Sequence, residues 1–288
     1  DRRDSRGGRG RVVTLQDRAG LAGARRVVVK VGSSSISGEN AEKIGPIVDA
    51  LAEAHARGTE VVLVSSGAIA TGMPFLLLDA RPSDLATQQA AAAVGQNVLI
   101  YRYQEALRPF DIVAGQVLLT AGDLENPTHR SNARRAMERL LGLRILPIVN
   151  ENDTVATHEI RFGDNDRLAA LVAQLVGADA LVLLSDIETL YTRPPDEPGA
   201  RPIIDVAFGD DLSGFQFGSV VVNSVGTGGA ATKASAARLA SAAGIAVLVT
   251  SADLVHSALR GEQVGTWFAP NPQSAAPATT SPVRIDGP

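Results

Sequence analysis

The sequence predicts an α/β protein, a three-layer α/β/α sandwich around a mostly parallel sheet. Three observations predict it. Short continuous apolar runs alternate with amphipathic helical segments, the pattern of strands buried on both faces and joined by crossover helices. Polar residues gather where several of those runs end, the edge at which open parallel sheets collect their ligands. A chain of 288 residues that is 45% hydrophobic and 20% charged, with 28 Gly, is globular rather than fibrous or disordered throughout.

Residues 1–25 read as a disordered lead-in, because Asp1 to Gly10 is rich in Arg, Asp and Gly and has almost nothing to bury. The first strand is expected at Val27 to Val31. A helix carrying Ile44, Ile47, Val48 and Leu51 follows and ends near Gly58. The second strand is Val61 to Val64, and later strands are Val113 to Leu119, Ile145 to Val149, Leu181 to Leu184 and Ala246 to Val249. Asp84 to Leu107, Asn132 to Leu141, Arg167 to Val176 and Ala230 to Ala243 read as helices with Leu, Val or Ala on one face. One folded domain spans residues 26–268, with Trp267 packing at its end. Residues 269–288, rich in Pro, Ala, Ser and Thr, read as a linker or tail.

Composition removes several function classes. A net charge of −4 makes the chain a poor ligand for nucleic acid, and the absence of Cys excludes disulfides, thiolate catalysis and Cys-ligated metal. No apolar run approaches the roughly 18 residues needed to span a bilayer, so the expectation is a cytoplasmic protein without a membrane partner. None of the four His has a second His four residues away, so no His is assigned a role. No Ser-His-Asp or Gly-x-Ser-x-Gly arrangement points to hydrolysis.

Chemistry concentrates at strand ends. Lys30 closes the first strand ahead of Gly32-Ser33-Ser34-Ser35, where a lysine and open backbone N–H groups can meet a phosphate. A lysine that merely reaches solvent reads the same way, and the motif leaves both open. Ser65-Ser66-Gly67-Ala68 repeats the layout after the second strand; it suits an anion and equally suits a capped helix. Gly226-Thr227-Gly228-Gly229-Ala230-Ala231-Thr232-Lys233 is a donor-rich loop before a helix, without the Walker spacing. Ser185 and Asp186 close another strand and fit a nucleotide or a cap. The densest polar stretch is Asn150-Glu151-Asn152-Asp153 followed by Gly163-Asp164-Asn165-Asp166. Carboxylates so close together repel one another unless an amine, lysines or magnesium lie among them. One of the acids from Asp164 to Asp166 is expected to cap the following helix.

These motifs, in this order and over roughly Arg26 to Phe268, resemble the amino acid kinase family. Val29-Lys30-Val31-Gly32-Ser33-Ser34, Ser65-Ser66-Gly67-Ala68-Ile69-Ala70, Ala93-Val94-Gly95-Gln96, Leu190-Tyr191-Thr192 and Val225-Gly226-Thr227-Gly228-Gly229 carry the resemblance with the two acidic motifs. Within the family, the acidic pair points to the branch that phosphorylates L-glutamate at its side-chain carboxylate, the first step of proline synthesis.

The resemblance implies the amino acid kinase fold and an enzyme that uses ATP with Mg²⁺. Lys30 and Lys233 would flank the transferring phosphoryl group, held by Asp166. Ser66, Asp153, Asn165, Asn150 and Asp164 would serve the amino acid. Lys30, Ser185, Asp186, Thr227, Gly228, Gly229, Ala230, Ala231, Thr232 and Lys233 would serve ATP. Magnesium would ride on the phosphates without fixed protein ligands.

Feedback inhibition by proline and a homo-oligomer, dimer or tetramer, are further implications. Another acceptor, or a catalytically silent sensor of nucleotide or amino acid, is the alternative on the same fold. Three departures stand out: Thr189 where the family often has Gly, Ala230-Ala231 where it often has Met-Ser, and a chain ending in a linker, with the C-terminal PUA domain of many bacterial members absent.

Overall fold

The computed structural model describes residues 14–36, 42–155, 165–217 and 229–275. Its elements in order are β1 (Arg26–Lys30), α1 (Ile44–Ala56), β2 (Glu60–Val64), α2 (Ala68–Gly72), α3 (Leu85–Leu107), β3 (Ala114–Leu119), α4 (Ala121–Glu125), α5 (Pro127–Gly142), β4 (Leu146–Glu151), α6 (Asn165–Val176), β5 (Ala180–Ser185), β6 (Leu190–Tyr191), β7 (Pro202–Ile203), β8 (Asp205–Val206), α7 (Ala230–Ala242), β9 (Ala246–Ser251), α8 (Val255–Leu259) and β10 (Thr266–Phe268). The main sheet runs β3-β4-β2-β1-β5-β9-β10-β8, and β6 pairs with β7 separately. Strands from β3 across to β9 are parallel; β10 lies antiparallel to β9, and β8 parallel to β10.

Alternation along the strands sorts the core into two layers. Val27 and Val29 of β1 join Leu63, Ile148, Val182 and Leu248 against α1, α3 and α8. Val28 joins Val62, Val149, Leu183 and Val249 on the other face, against α5, α6 and α7. Two-sided burial is what the continuous Val and Leu runs anticipate. The expected three-layer α/β/α sandwich around a mostly parallel sheet is what forms.

Several boundaries differ from expectation. Residues 14–25 are built into the fold rather than forming a lead-in: Leu15 and Leu21 are buried, and Arg18 bonds Asp205 at 2.7 Å and the Val264 and Gly265 carbonyls at 3.0 Å. Residues 1–13 lie outside the described residues. At the other end, Ala269 N–H donates to Val206 and Asn271 N–H to Ser241, so the ordered chain continues past Phe268 to residue 275. Residues 276–288 of the expected tail lie outside the described residues.

Helix α5 starts at Pro127, five residues before the expected Asn132. The Asn126 side chain accepts from Thr128 and His129 N–H groups at 2.9 and 3.1 Å, and Pro127 tolerates the first helical position. The polar Thr-His-Arg-Ser stretch gave apolar periodicity nothing to register. Strand β3 is an edge strand, with Leu118 exposed, not one buried on both faces. Strand β4 runs on to Glu151, so Asn150 and Glu151 belong to the strand itself. Trp267 packs at the domain end as expected, 4% exposed.

One close approach positions the site. Gly67 adopts φ 91°, a left-handed turn that suits Gly, and the chain then enters α2. Helix α2 crosses α3 so tightly that a Cβ on Gly95 would sit 1.8 Å from the Ala68 carbonyl oxygen, and one on Gly72 would sit 1.9 Å from that of Ala91. Gly95→Ala is therefore expected to push α2 off α3 and to destabilise the chain by at least about 2 kcal/mol, read as a lower denaturation midpoint. An unchanged midpoint would show that the helices separate without cost.

Candidate active site

Lys30 ends β1 with its side chain on the α6 face of the sheet, two residues on from Val28. There Lys30 Nζ lies 2.6 Å from Asp166 Oδ1 and Lys233 Nζ 3.2 Å from Asp166 Oδ2. The side chains are 2%, 9% and 1% exposed for Lys30, Lys233 and Asp166, so the cluster is dry. Two ammonium groups lie against one carboxylate in a buried crevice. Charge in such a place attracts an anion far more strongly than at the surface. Asp166 is thus a bridge between cations and does not cap α6, which begins at Asn165. Asp164, the residue before that helix, lies outside the described residues.

The preceding residue, Asn165, knits the neighbouring strand ends together. Its Nδ2 donates to the Ser65 carbonyl at 2.7 Å and to Asn150 Oδ1 at 2.8 Å. Asn150 Nδ2 donates in turn to Gln96 Oε1 of α3 at 2.6 Å, and Asn150 Oδ1 accepts from Glu151 N–H at 2.8 Å. Ser65 Oγ lies 3.0 Å from the Tyr103 hydroxyl, whose pKa burial pushes up. Ser capping of α2 is not seen: Gly67 is the N-cap and no side chain bonds there. Ser66 follows Ser65 in the same turn, half-buried. Asp153 lies just past β4 and lines a cleft of about 290 Å³ with Gln96, Gln116, Glu151 and Ala68, between α3 and the edge of the sheet.

A third group sits beyond β1. Ser185 ends β5, and Asp186 Oδ1 accepts from Ser34 Oγ at 3.0 Å, closing the turn after β1 onto the end of β5. Gly229 to Lys233 form the start of α7, where Thr232 Oγ1 accepts from Gly229 N–H at 3.0 Å and lies 3.2 Å from Asp166 Oδ2. Ala230 and Ala231 occupy the first two positions of that helix. Thr227 and Gly228 lie outside the described residues.

A model of the amino acid kinase family matches residues 25–251. The chain belongs to the amino acid kinase family. A relative from Clavibacter michiganensis subsp. michiganensis, named glutamate 5-kinase, is 75% identical over 88% of this chain and 97% of its own length. One of the same name from Leifsonia xyli subsp. xyli is 70% identical over 93% of this chain and 100% of its own length. Among solved structures, carbamate kinase from Giardia lamblia bound to AMP-PNP superposes with a TM-score of 0.64 at 16% identity, covering 87% of this chain and 100% of that one, a likeness of fold.

Thr189 Oγ1 lies 2.8 Å from Thr266 Oγ1 and donates to the Ile203 carbonyl at 2.9 Å, so this side chain fastens the start of β6 to β7 and β10. Sequence reasoning assigned no role to Gln96, Tyr103 or Ser34. The Ala93-Val94-Gly95-Gln96 motif carried a signal for Gln96, whereas a tyrosine buried on a helix carries none.

Asn165→Ala removes both donated bonds and leaves the Ser65 carbonyl without this donor. The expected loss is about 2 kcal/mol, measured by urea denaturation. A variant as stable as the parent would mean that α6 does not hold the strand ends.

Proposed function

We propose that the chain transfers the γ-phosphoryl group of ATP to the side-chain carboxylate of L-glutamate, giving L-glutamyl 5-phosphate and ADP, the activity of a glutamate 5-kinase. The observation that carries phosphoryl transfer is the buried Lys30–Asp166–Lys233 cluster, in which two ammonium groups meet at one carboxylate. The identity of the acceptor rests on the relatives named glutamate 5-kinase.

A carboxylate must approach an already anionic phosphate, so alignment and stabilisation of negative charge dominate the barrier. In this reading Lys30 and Lys233 contact the equatorial oxygens of the transferring group while Asp166 keeps both ammoniums in place. A glutamate oxygen forms the new bond to phosphorus, the bond from phosphorus to the bridging oxygen of ADP breaks, and that oxygen takes the electron pair. Glutamate is ionised at neutral pH, so no proton is removed and no general base is required. Asp153 and Ser66 bind glutamate, with Asn150, Asn165 and Asp164 shaping that subsite. Ser185, Asp186 and the segment from Thr227 through Gly228, Gly229, Ala230, Ala231 and Thr232 to Lys233 receive ATP. Mg²⁺ carried by ATP would supply positive charge to the phosphates, and no side chain of the chain is assigned to hold it.

The kinase domain includes residues 14–25 and continues past Phe268 to residue 275, and the reading has proline opposing glutamate and copies of the chain associating. The exposed Val94 and Tyr101 of α3 support association. Among the described residues no helix is long and apolar enough to cross a membrane. A cytoplasmic setting is part of the proposal.

Release of ADP should require ATP, Mg²⁺ and L-glutamate together. Hydroxylamine should trap an acyl hydroxamate, and EDTA should abolish turnover. Equal ADP release with aspartate or N-acetylglutamate would overturn the acceptor. Lys233→Met is expected to lower kcat at least about 100-fold with the circular-dichroism spectrum retained. Unchanged turnover would take Lys233 out of the mechanism.

A further inference from the structure

Tyr103 of α3 is fully buried, in the same apolar cluster as Leu99, Leu107 and Ile112. Phenylalanine would bring the same ring to that cluster, and a hydroxyl taken into a core costs stability unless it is paired. The Tyr103 hydroxyl is paired with Ser65 Oγ, just past β2, at 3.0 Å.

Ser65 Oγ donates onward to the Ser66 carbonyl at 3.2 Å. Its single proton is used there, so Tyr103 is the donor to Ser65. The Ser65 carbonyl accepts from Asn165 Nδ2 at 2.7 Å. Both peptide planes that flank Ser66 are therefore fastened, one from α6 and the other, through the Ser65 hydroxyl, from α3. Peptide planes are rigid, so only φ and ψ of Ser66 lie between these two, and holding both planes sets the direction of the Ser66 side chain.

Gln96 stands seven residues before Tyr103 on the same face of α3 and accepts from Asn150 Nδ2 at 2.6 Å. Asn150 Oδ1 accepts from Asn165, so Tyr103, Ser65, Asn165, Asn150 and Gln96 form a ring of contacts that α3 itself closes. Asn150 and Asn165 belong to this ring and Ser66 hangs from it, all read above as serving the amino acid. None of the residues read as serving ATP takes part.

We infer that Tyr103 is a positioning residue for the amino-acid substrate: buried away from the cleft, its hydroxyl orients Ser65 and so fixes where Ser66 meets that substrate. The inference rests on the glutamate reading above and gives its subsite a support on α3.

The full chain is compared with Tyr103→Phe, Ser65→Ala and the double variant, by steady-state kinetics in ATP and in glutamate and by melting temperature. Tyr103→Phe removes one oxygen and keeps the ring. It should raise the KM for glutamate about fivefold, the equivalent of one net hydrogen bond, and leave kcat and the KM for ATP unchanged. Ser65→Ala should raise the KM for glutamate at least as far, and the double variant no further than Ser65→Ala, because both act through one chain of bonds. A Tyr103→Phe chain that keeps the parent's KM for glutamate, even with a lower melting temperature, would make the bond structural only and overturn the inference alone. An equal rise in the KM for ATP would also overturn it, since the effect would not belong to the amino-acid side. A parent chain whose ADP release does not depend on glutamate would overturn this inference and the glutamate reading together.

Discussion

Asp166 is a single carboxylate, 1% exposed, that holds two ammonium groups at the edge of a parallel sheet. Removing three charged groups from water costs more than their mutual attraction returns unless the geometry is good, so such a cluster is a poor device for stability alone. Its consequence is positional. Lys30 is the last residue of β1 and Lys233 the fourth of α7, more than two hundred residues apart in sequence, and one acid at the start of α6 sets the gap between their ammoniums. Two ammonium groups brought together in this way make the crevice receptive to a polyanion.

The first turn of α6 serves both sides of this site. Asn165 and Asp166 are consecutive and about 100° apart around the helix, so their side chains diverge. Asp166 reaches the lysines, while Asn165 bonds the ends of β2 and β4 and, through Asn150, connects to Gln96 of α3. The helix therefore couples the charge cluster to the polar cleft beside Asp153. The Gly72 and Gly95 contact between α2 and α3 lets the second wall of that cleft come close. Phosphoryl transfer between two anions needs such fixed spacing, because donor and acceptor repel until they are aligned.

Much of this was legible in the chain. The runs Val27 to Val31, Val61 to Val64, Leu181 to Leu184 and Ala246 to Val249 are buried on both faces, so composition alone marked them as central strands. Their places at strand and helix ends marked Lys30, Asn150, Asn165, Asp166 and Lys233 as polar groups at the sheet edge, and the family resemblance is what brought them into one site. The edge strand β3 and the short strands β6, β7, β8 and β10 were missed or misread, since two or three residues carry no period and an apolar run does not say whether a neighbour covers it. Helix α5 was cut short because its first turn is polar and held by the Asn126 cap rather than by a buried face. Arg18 was assigned to a disordered lead-in because its partners, Asp205, Val264 and Gly265, lie far along the chain and no local pattern announces them.

The most direct test of the central role of Asp166 is the rate of glutamate-dependent ADP release by Asp166→Asn at saturating ATP and glutamate. The substitution keeps size and removes the charge that restrains the two lysines. The account predicts a fall in kcat of at least about 100-fold, with nucleotide affinity retained because both ammoniums remain. An Asp166→Asn chain that turns over at the parent rate would contradict it and would leave the lysines as independent cations.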